Sequence, residues 1–144
     1  MKWTILRPVA FMETFDFGFL DKVFAASWGV AIKSRPLQLI ATADIGAFAS
    51  KAFTEPEKFS NRSISLAGDE LTYAEMEKAF LDVTKSPPTK TRGFIARLVM
   101  WLSKEMDTMF SFFECEGYGA DIEEVKGEYP EVQTLKMWLK EQQH

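Results

Sequence analysis

The chain of 144 residues holds one histidine, and that is the last residue, His144. No Ser-His-Asp or Cys-His arrangement can be built on a terminal side chain, so nucleophilic catalysis of that type finds no base here. There is one cysteine, Cys115, which excludes an internal disulfide and fits a reducing, cytoplasmic compartment. Glu114 and Glu116 flank it, and two carboxylates oppose formation of a thiolate. With so few soft ligands, no metal site is expected. Glycine is sparse at 8 copies, and no glycine-rich turn stands between a strand pattern and a helix pattern. A loop that cradles phosphates is therefore missing. Gly117-Tyr118-Gly119 has two spaced glycines but follows a helical stretch and reads as a turn. Basic charge is not in excess: the net charge is −4, which argues against a nucleic-acid partner. Lys85, Lys90 and Arg92 cluster beside Pro87 and Pro88 and read as a solvated linker. No apolar run is long enough to span a bilayer, and Arg7, Pro8, Glu13 and Asp16 break up any leader-like start, so no membrane partner is expected.

What is abundant is aromatic surface, with 13 Phe and 4 Trp. That much ring area implies a large core, a ring-lined pocket, or a face for another chain. The length suits one domain, taken as 1–144. Trp3 to Leu6 is an apolar run stopped by Arg7-Pro8; apolar on both faces, it reads as an inner strand of a parallel sheet. Val9 to Val30 is aromatic and irregular, with a short helix expected before Gly29. Pro36 to Ile40 reads as a strand, then Thr42 as the cap of a helix with Asp44 in its first turn. Arg62 to Ala67 alternates as a third strand, and Gly68-Asp69 turns the chain. Thr72-Tyr73-Ala74-Glu75 is a capping box, and Ser86-Pro87-Pro88 ends its helix. Phe94 to Phe113 carries one broad apolar stripe and reads as the longest helix. A last helix is expected from near Pro130.

The search for reaction chemistry is mostly negative. A dehydrogenase-type pair needs a lysine four residues after a tyrosine, but Glu77, Ile122 and Gln133 stand there. No catalytic residue is assigned. The acidic pairs Glu123-Glu124 and Glu55 with Glu57 read as solvated faces.

Taken in order, several segments resemble the NmrA-like family, an atypical branch of the short-chain dehydrogenases with a Rossmann fold. Trp3-Thr4-Ile5-Leu6-Arg7-Pro8 and Phe11-Met12-Glu13-Thr14-Phe15 are similar to the strand and loop that close over the nicotinamide end in that family. Pro36 to Ile40 with Asp44-Ile45-Gly46, and Ile64 to Thr72, are similar to the next two strand–helix joints. Gly117-Tyr118, Ala120-Asp121-Ile122 and Pro130 to Leu139 are similar to its final turn and helix. Thr14 stands where the family often has Asn.

The resemblance implies an α/β, Rossmann-like NAD(P)-binding fold with NADP as its dinucleotide. It also implies that the strand–helix units bearing the glycine loop precede Trp3, so the chain is expected to be the C-terminal portion of that fold, incomplete and unable to hold the dinucleotide alone. Pro8, Val9, Ala10 and Phe11 are then candidates for cofactor contact, and Met12 and Phe15 for substrate contact. Ligands of open α/β sheets lie beyond the carboxyl ends of strands, which is where this segment falls. The alternative is that the rings serve only to pack the core. Two functions stay open: a redox-sensing or regulatory module without turnover, and the substrate half of an oxidoreductase. In either, an uncovered strand at Trp3–Leu6 would favour self-association, or a second chain that supplies the missing half.

Overall fold

The computed structural model describes residues 2–16 and 18–143; the side chains of Phe19 and Leu20 also lie outside it. Met1, Phe17 and His144 are thus not described. The strands are β1 (Thr4–Pro8), β2 (Ala10–Phe11), β3 (Leu37–Ile40), β4 (Arg62–Leu66) and β5 (Asp69–Leu71). The helices are α1 (Phe19–Ala31), α2 (Thr42–Thr54), α3 (Pro56–Phe59), α4 (Tyr73–Thr84), α5 (Gly93–Leu102), α6 (Lys104–Cys115), α7 (Ile122–Glu128) and α8 (Leu135–Glu141), with a 3-10 turn at Met12–Asp16.

Two small sheets share the chain. β1 pairs in parallel with β4, Leu6 opposite Ile64 and Pro8 opposite Leu66. β2 pairs in parallel with β3, and β3 pairs antiparallel with β5. Val9 N–H donates to the Leu66 carbonyl and Gly68 N–H to the Leu39 carbonyl, so the two sheets are stitched where β1 passes into β2 and β4 into β5. Gly68-Asp69 is therefore not a free turn; Asp69 opens a strand.

β1 departs from the inner-strand expectation. Among the described residues it has a partner on one edge only, β4. Its residues alternate in exposure along the strand. Leu6 is half-buried on the side facing α2, while Ile5 is 46% exposed.

The core forms two clusters. One gathers Trp28, Leu37, Met76, Phe110, Leu135 and their neighbours; the other gathers Ile40, Phe48, Phe59, Leu66 and Val132. Rings meet edge-on across the first, as Phe24 does Phe15 at 5.7 Å and Tyr73 does Trp28 at 6.1 Å.

The helices differ from expectation: α3 and α7 are not foreseen from the sequence, and three expected stretches fold differently. The irregular aromatic segment contains the 13-residue α1, entered through Gly18 at φ 68°, which a side chain would strain. It packs against α5, α6 and the 3-10 turn, so its rings are spent on several neighbours instead of one face. The long stripe from Phe94 to Phe113 is two helices broken at Ser103, whose hydroxyl accepts from Met106 N–H and so caps α6. The last helix starts at Leu135, capped by Thr134, and not near Pro130.

Candidate functional site

The carboxyl ends of β2 and β3 lie side by side, Phe11 opposite Ile40. Beyond them come the 3-10 turn and the start of α2. Phe11 is 42% exposed, while Pro8, Ala10, Thr14 and Phe15 are half-buried. Val9 and Met12 are buried, Met12 completely. Met12 belongs to the first core cluster, and Phe15 packs against Phe24, Trp28 and Phe80. The candidate cofactor and substrate residues are thus brought together at the strand ends, but the ring of Phe11 is the most open of them.

Sequence alone assigns no role to Glu13, which is the polar centre of this corner. Its Oε1 accepts from Thr42 N–H and Thr42 Oγ, each at 2.8 Å. α2 has no side-chain cap of its own, because Ala41 holds the capping position. Glu13 supplies the missing acceptor from 29 residues away and sets a negative charge at the positive end of the helix. Its other oxygen, Oε2, is buried without a protein partner. Thr42 is thus the first helical residue and a donor, not the cap. The α4 N-terminus is closed in the same way: Thr72 N–H and Oγ both donate to Glu75, and Thr72 Oγ accepts from Glu75 N–H. Those bonds hold the Glu75 carboxyl below its ordinary range.

Behind the site, two aspartates hold the C-terminal segment, Asp44 from the first turn of α2 and Asp69 from β5. Asp44 is 2% exposed and accepts from Gln133 N–H at 2.9 Å. Burial pushes its carboxyl above the ordinary range, the Gln133 bond opposes that, and the charges of Glu141 and Glu13 add to it. Asp69 accepts from Leu135 N–H at 2.9 Å. Gln38 and Ala120 exchange a reciprocal buried pair, 2.9 and 3.0 Å, that pins the turn before α7.

A tyrosine–lysine contact does exist, formed by tertiary folding. Lys90 Nζ donates to Tyr73 Oη at 3.1 Å and to Glu77 at 2.8 Å, beside a cavity of about 270 Å³ lined also by Gly29 and Thr91. Lys90 is exposed in the irregular segment between α4 and α5, as the linker reading has it, but these bonds anchor it to α4. Burial, set against the Lys90 hydrogen bond, raises the Tyr73 phenol above its ordinary range, and the Glu77 bond raises Lys90. The contact ties the segment before α5 to α4. A groove of about 340 Å³ lies elsewhere, at the opposite end of β1, against Ala49, Ala52 and Phe53 of α2.

No group of metal-ligating side chains occurs among the described residues. Nor is any helix among them long and apolar enough to cross a membrane.

Comparison with solved structures places this architecture. The chain is similar to a nucleoside-diphosphate-sugar epimerase from Staphylococcus aureus at a TM-score of 0.72 and 12% identity, over 97% of this chain and 52% of that one. It is similar to a doubly substituted mutant of NmrA at a TM-score of 0.50 and 14% identity, over 77% of this chain and 41% of that one. The chain thus spans about half the length, or less, of these relatives. At such identities the likeness shows the fold alone, a mixed α/β arrangement with parallel strand pairs shared with these two proteins. No curated protein sequence matches. The sequence pattern of the NmrA-like family matches residues 3–139, and on that match the chain belongs to the NmrA-like family.

Proposed function

We propose that these residues form the strand-end, substrate-side part of an NmrA-like NAD(P)-binding protein of the redox-sensing or regulatory kind, and that they do not hold the dinucleotide's pyrophosphate by themselves. One observation carries the reading. A pyrophosphate site needs a helix N-terminus with free N–H groups directly after a strand. The two α-helices that begin within two residues of a strand, α2 and α4, already hold a carboxylate at that place, Glu13 and Glu75. A phosphate would have to displace a negative charge that is already hydrogen-bonded. No glycine-rich loop offers another cradle.

In this reading Pro8, Val9, Ala10 and Phe11 run along the nicotinamide end, with Phe11 as the exposed contact. Phe15 and Met12 form the floor on the substrate side. Val9 and Met12 are buried, so they support this floor from beneath through backbone and packing, and half-buried Phe15 is its open part. A second reading, the substrate half of an NAD(P)H-dependent oxidoreductase, rests on the same strand ends; it needs a glycine-loop unit supplied by further sequence or another chain. The one-edged β1, with Trp3 44% and Ile5 46% exposed, gives such a unit a place to pair.

The test is a calorimetric titration of NADPH into the purified 144-residue chain. The expected result is no binding in the micromolar range. Micromolar affinity would refute the proposal. Sedimentation equilibrium of the same sample tests the partner surface: self-association through β1 predicts a dimer that the Ile5→Lys change dissociates.

A further inference from the structure

α5 is apolar around most of its circumference. Ala96 is fully buried, and Ile95, Val99 and Met100 are half-buried, as the helix lies on α1 and α6. The opposite side is apolar as well: Phe94 is 64% exposed, Leu98 50%, Trp101 79% and Leu102 69%. These positions recur at the three- and four-residue spacing of one helix face. A stripe of four large apolar side chains exceeds the scattered exposure usual on a soluble surface.

Along the sequence, the charge of this stretch is one-sided. From Lys85 to Lys104 the chain carries five cations, Lys85, Lys90, Arg92, Arg97 and Lys104, and no acidic residue, although its net charge is −4. Lys90 is engaged by Glu77, but Arg92, Arg97 and Lys104 form no ion pair among the described residues. Arg97 and Lys104 flank Trp101 in an open cleft of about 450 Å³ that Asp107 borders from α6.

We propose that α5 is an interfacial helix that lays its Phe94–Leu102 face on an anionic lipid surface. The chemistry of the face selects that occupant. Trp and Phe favour the boundary between headgroup and acyl chain, and unpaired cations beside them meet lipid phosphates. A second copy packing this face against its own equivalent would bring like charges together, which opposes an isologous dimer. The inference revises the expectation of no membrane partner, which rested on the lack of a spanning run: lying on a surface requires no span of about 20 residues, and none occurs among the described residues. It is independent of the dinucleotide proposal, since it uses none of the strand-end residues.

The test is co-flotation of the full chain with vesicles of phosphatidylcholine alone and of phosphatidylcholine with about 30% phosphatidylserine. Binding is expected to the anionic vesicles, to weaken with added salt, and to be slight on the neutral ones. Each cation near such a surface is worth roughly a fivefold change in partitioning, so Arg92→Gln with Arg97→Gln lowers it about twenty-five-fold. Both arginines are exposed, so the pair leaves the core intact. A second readout locates the contact. Trp28 and Trp138 are buried, so a Trp3→Phe chain leaves Trp101 as the exposed indole, and lipids brominated along the acyl chain quench it. Equal binding to neutral vesicles, no quenching, or an arginine pair without effect overturns the proposal. So does self-association through α5, seen as a dimer that Trp101→Ser dissociates while no vesicle binding occurs.

Discussion

Gly68 sits where β4 gives way to β5, and its replacement by alanine is expected to detach the C-terminal segment. A Cβ there falls well inside contact distance of the Gln133 carbonyl oxygen and 3.2 Å from Val132 Cγ2. The obstructing atom is backbone, so no rotamer change relieves it; the segment must move by roughly an ångström to reach van der Waals separation. That segment is held by Gln133 N–H on Asp44 and Leu135 N–H on Asp69, both at 2.9 Å. Each is a bond to a carboxylate, worth about 1.5–3 kcal/mol. A shift of that size weakens both and loosens the packing of buried Leu135, Trp138 and Leu139, so Gly68→Ala costs about 3 kcal/mol or more. For a chain of this length that is a fall in Tm of roughly 6–12 °C. Thermal unfolding followed by circular dichroism measures it. Gly46→Ala is the control: it is exposed within α2, and a Cβ there meets nothing within 4 Å. It is expected to stabilise by about 0.5–1 kcal/mol through helix propensity. A Gly68→Ala chain within about 1 kcal/mol of wild type would refute the account of how the tail is docked.

Further expectations concern the site. Removing the remote cap with Glu13→Ala leaves Thr42 N–H unpaired at the α2 terminus and is expected to cost about 1–3 kcal/mol in urea unfolding, while Glu13→Gln, which keeps an acceptor, costs less. Asp44 has a folded-state pKa above its unfolded value, so the native state binds the extra proton. Its contribution is most favourable below the unfolded value, about 3.9, and is lost as pH rises through the folded one. Asp44→Asn should therefore flatten the decline in stability above about pH 4, and an unchanged profile would contradict the assignment. Ser103→Ala removes the hydroxyl that caps α6 and should lower stability by about 0.5–2 kcal/mol without altering the start of α5, as amide exchange can resolve.

Local chemistry was the most legible part of this chain. The capping box at Thr72 and Glu75 needs only four consecutive residues, and it forms with both reciprocal bonds. β3 is likewise marked by an apolar run between Pro36 and Thr42, and it is buried throughout. The break at Ser103 was hidden because apolar residues continue through it; Ser103 followed by Glu105 and Asp107 is the start signal that could have revealed it. α1 was obscured because its rings face several neighbours, which erases a one-sided period. In the candidate site, the strand-end position of Pro8–Phe15 follows from Pro8 ending the run. The roles of Glu13, Asp44 and Lys90 do not, because each depends on a partner 29, 89 or 17 residues away.

The central claim is that the strand ends of β2 and β3 meet a nicotinamide dinucleotide only weakly while the helix N-termini beside them stay closed by carboxylates. A titration of the isotope-labelled chain with NADPH, followed residue by residue through its backbone amide resonances, tests this most directly. The account predicts shifts confined to Ala10–Phe15 and the first turn of α2, not saturating below the millimolar range. Saturation at micromolar ligand, or shifts centred on a different surface, would contradict it.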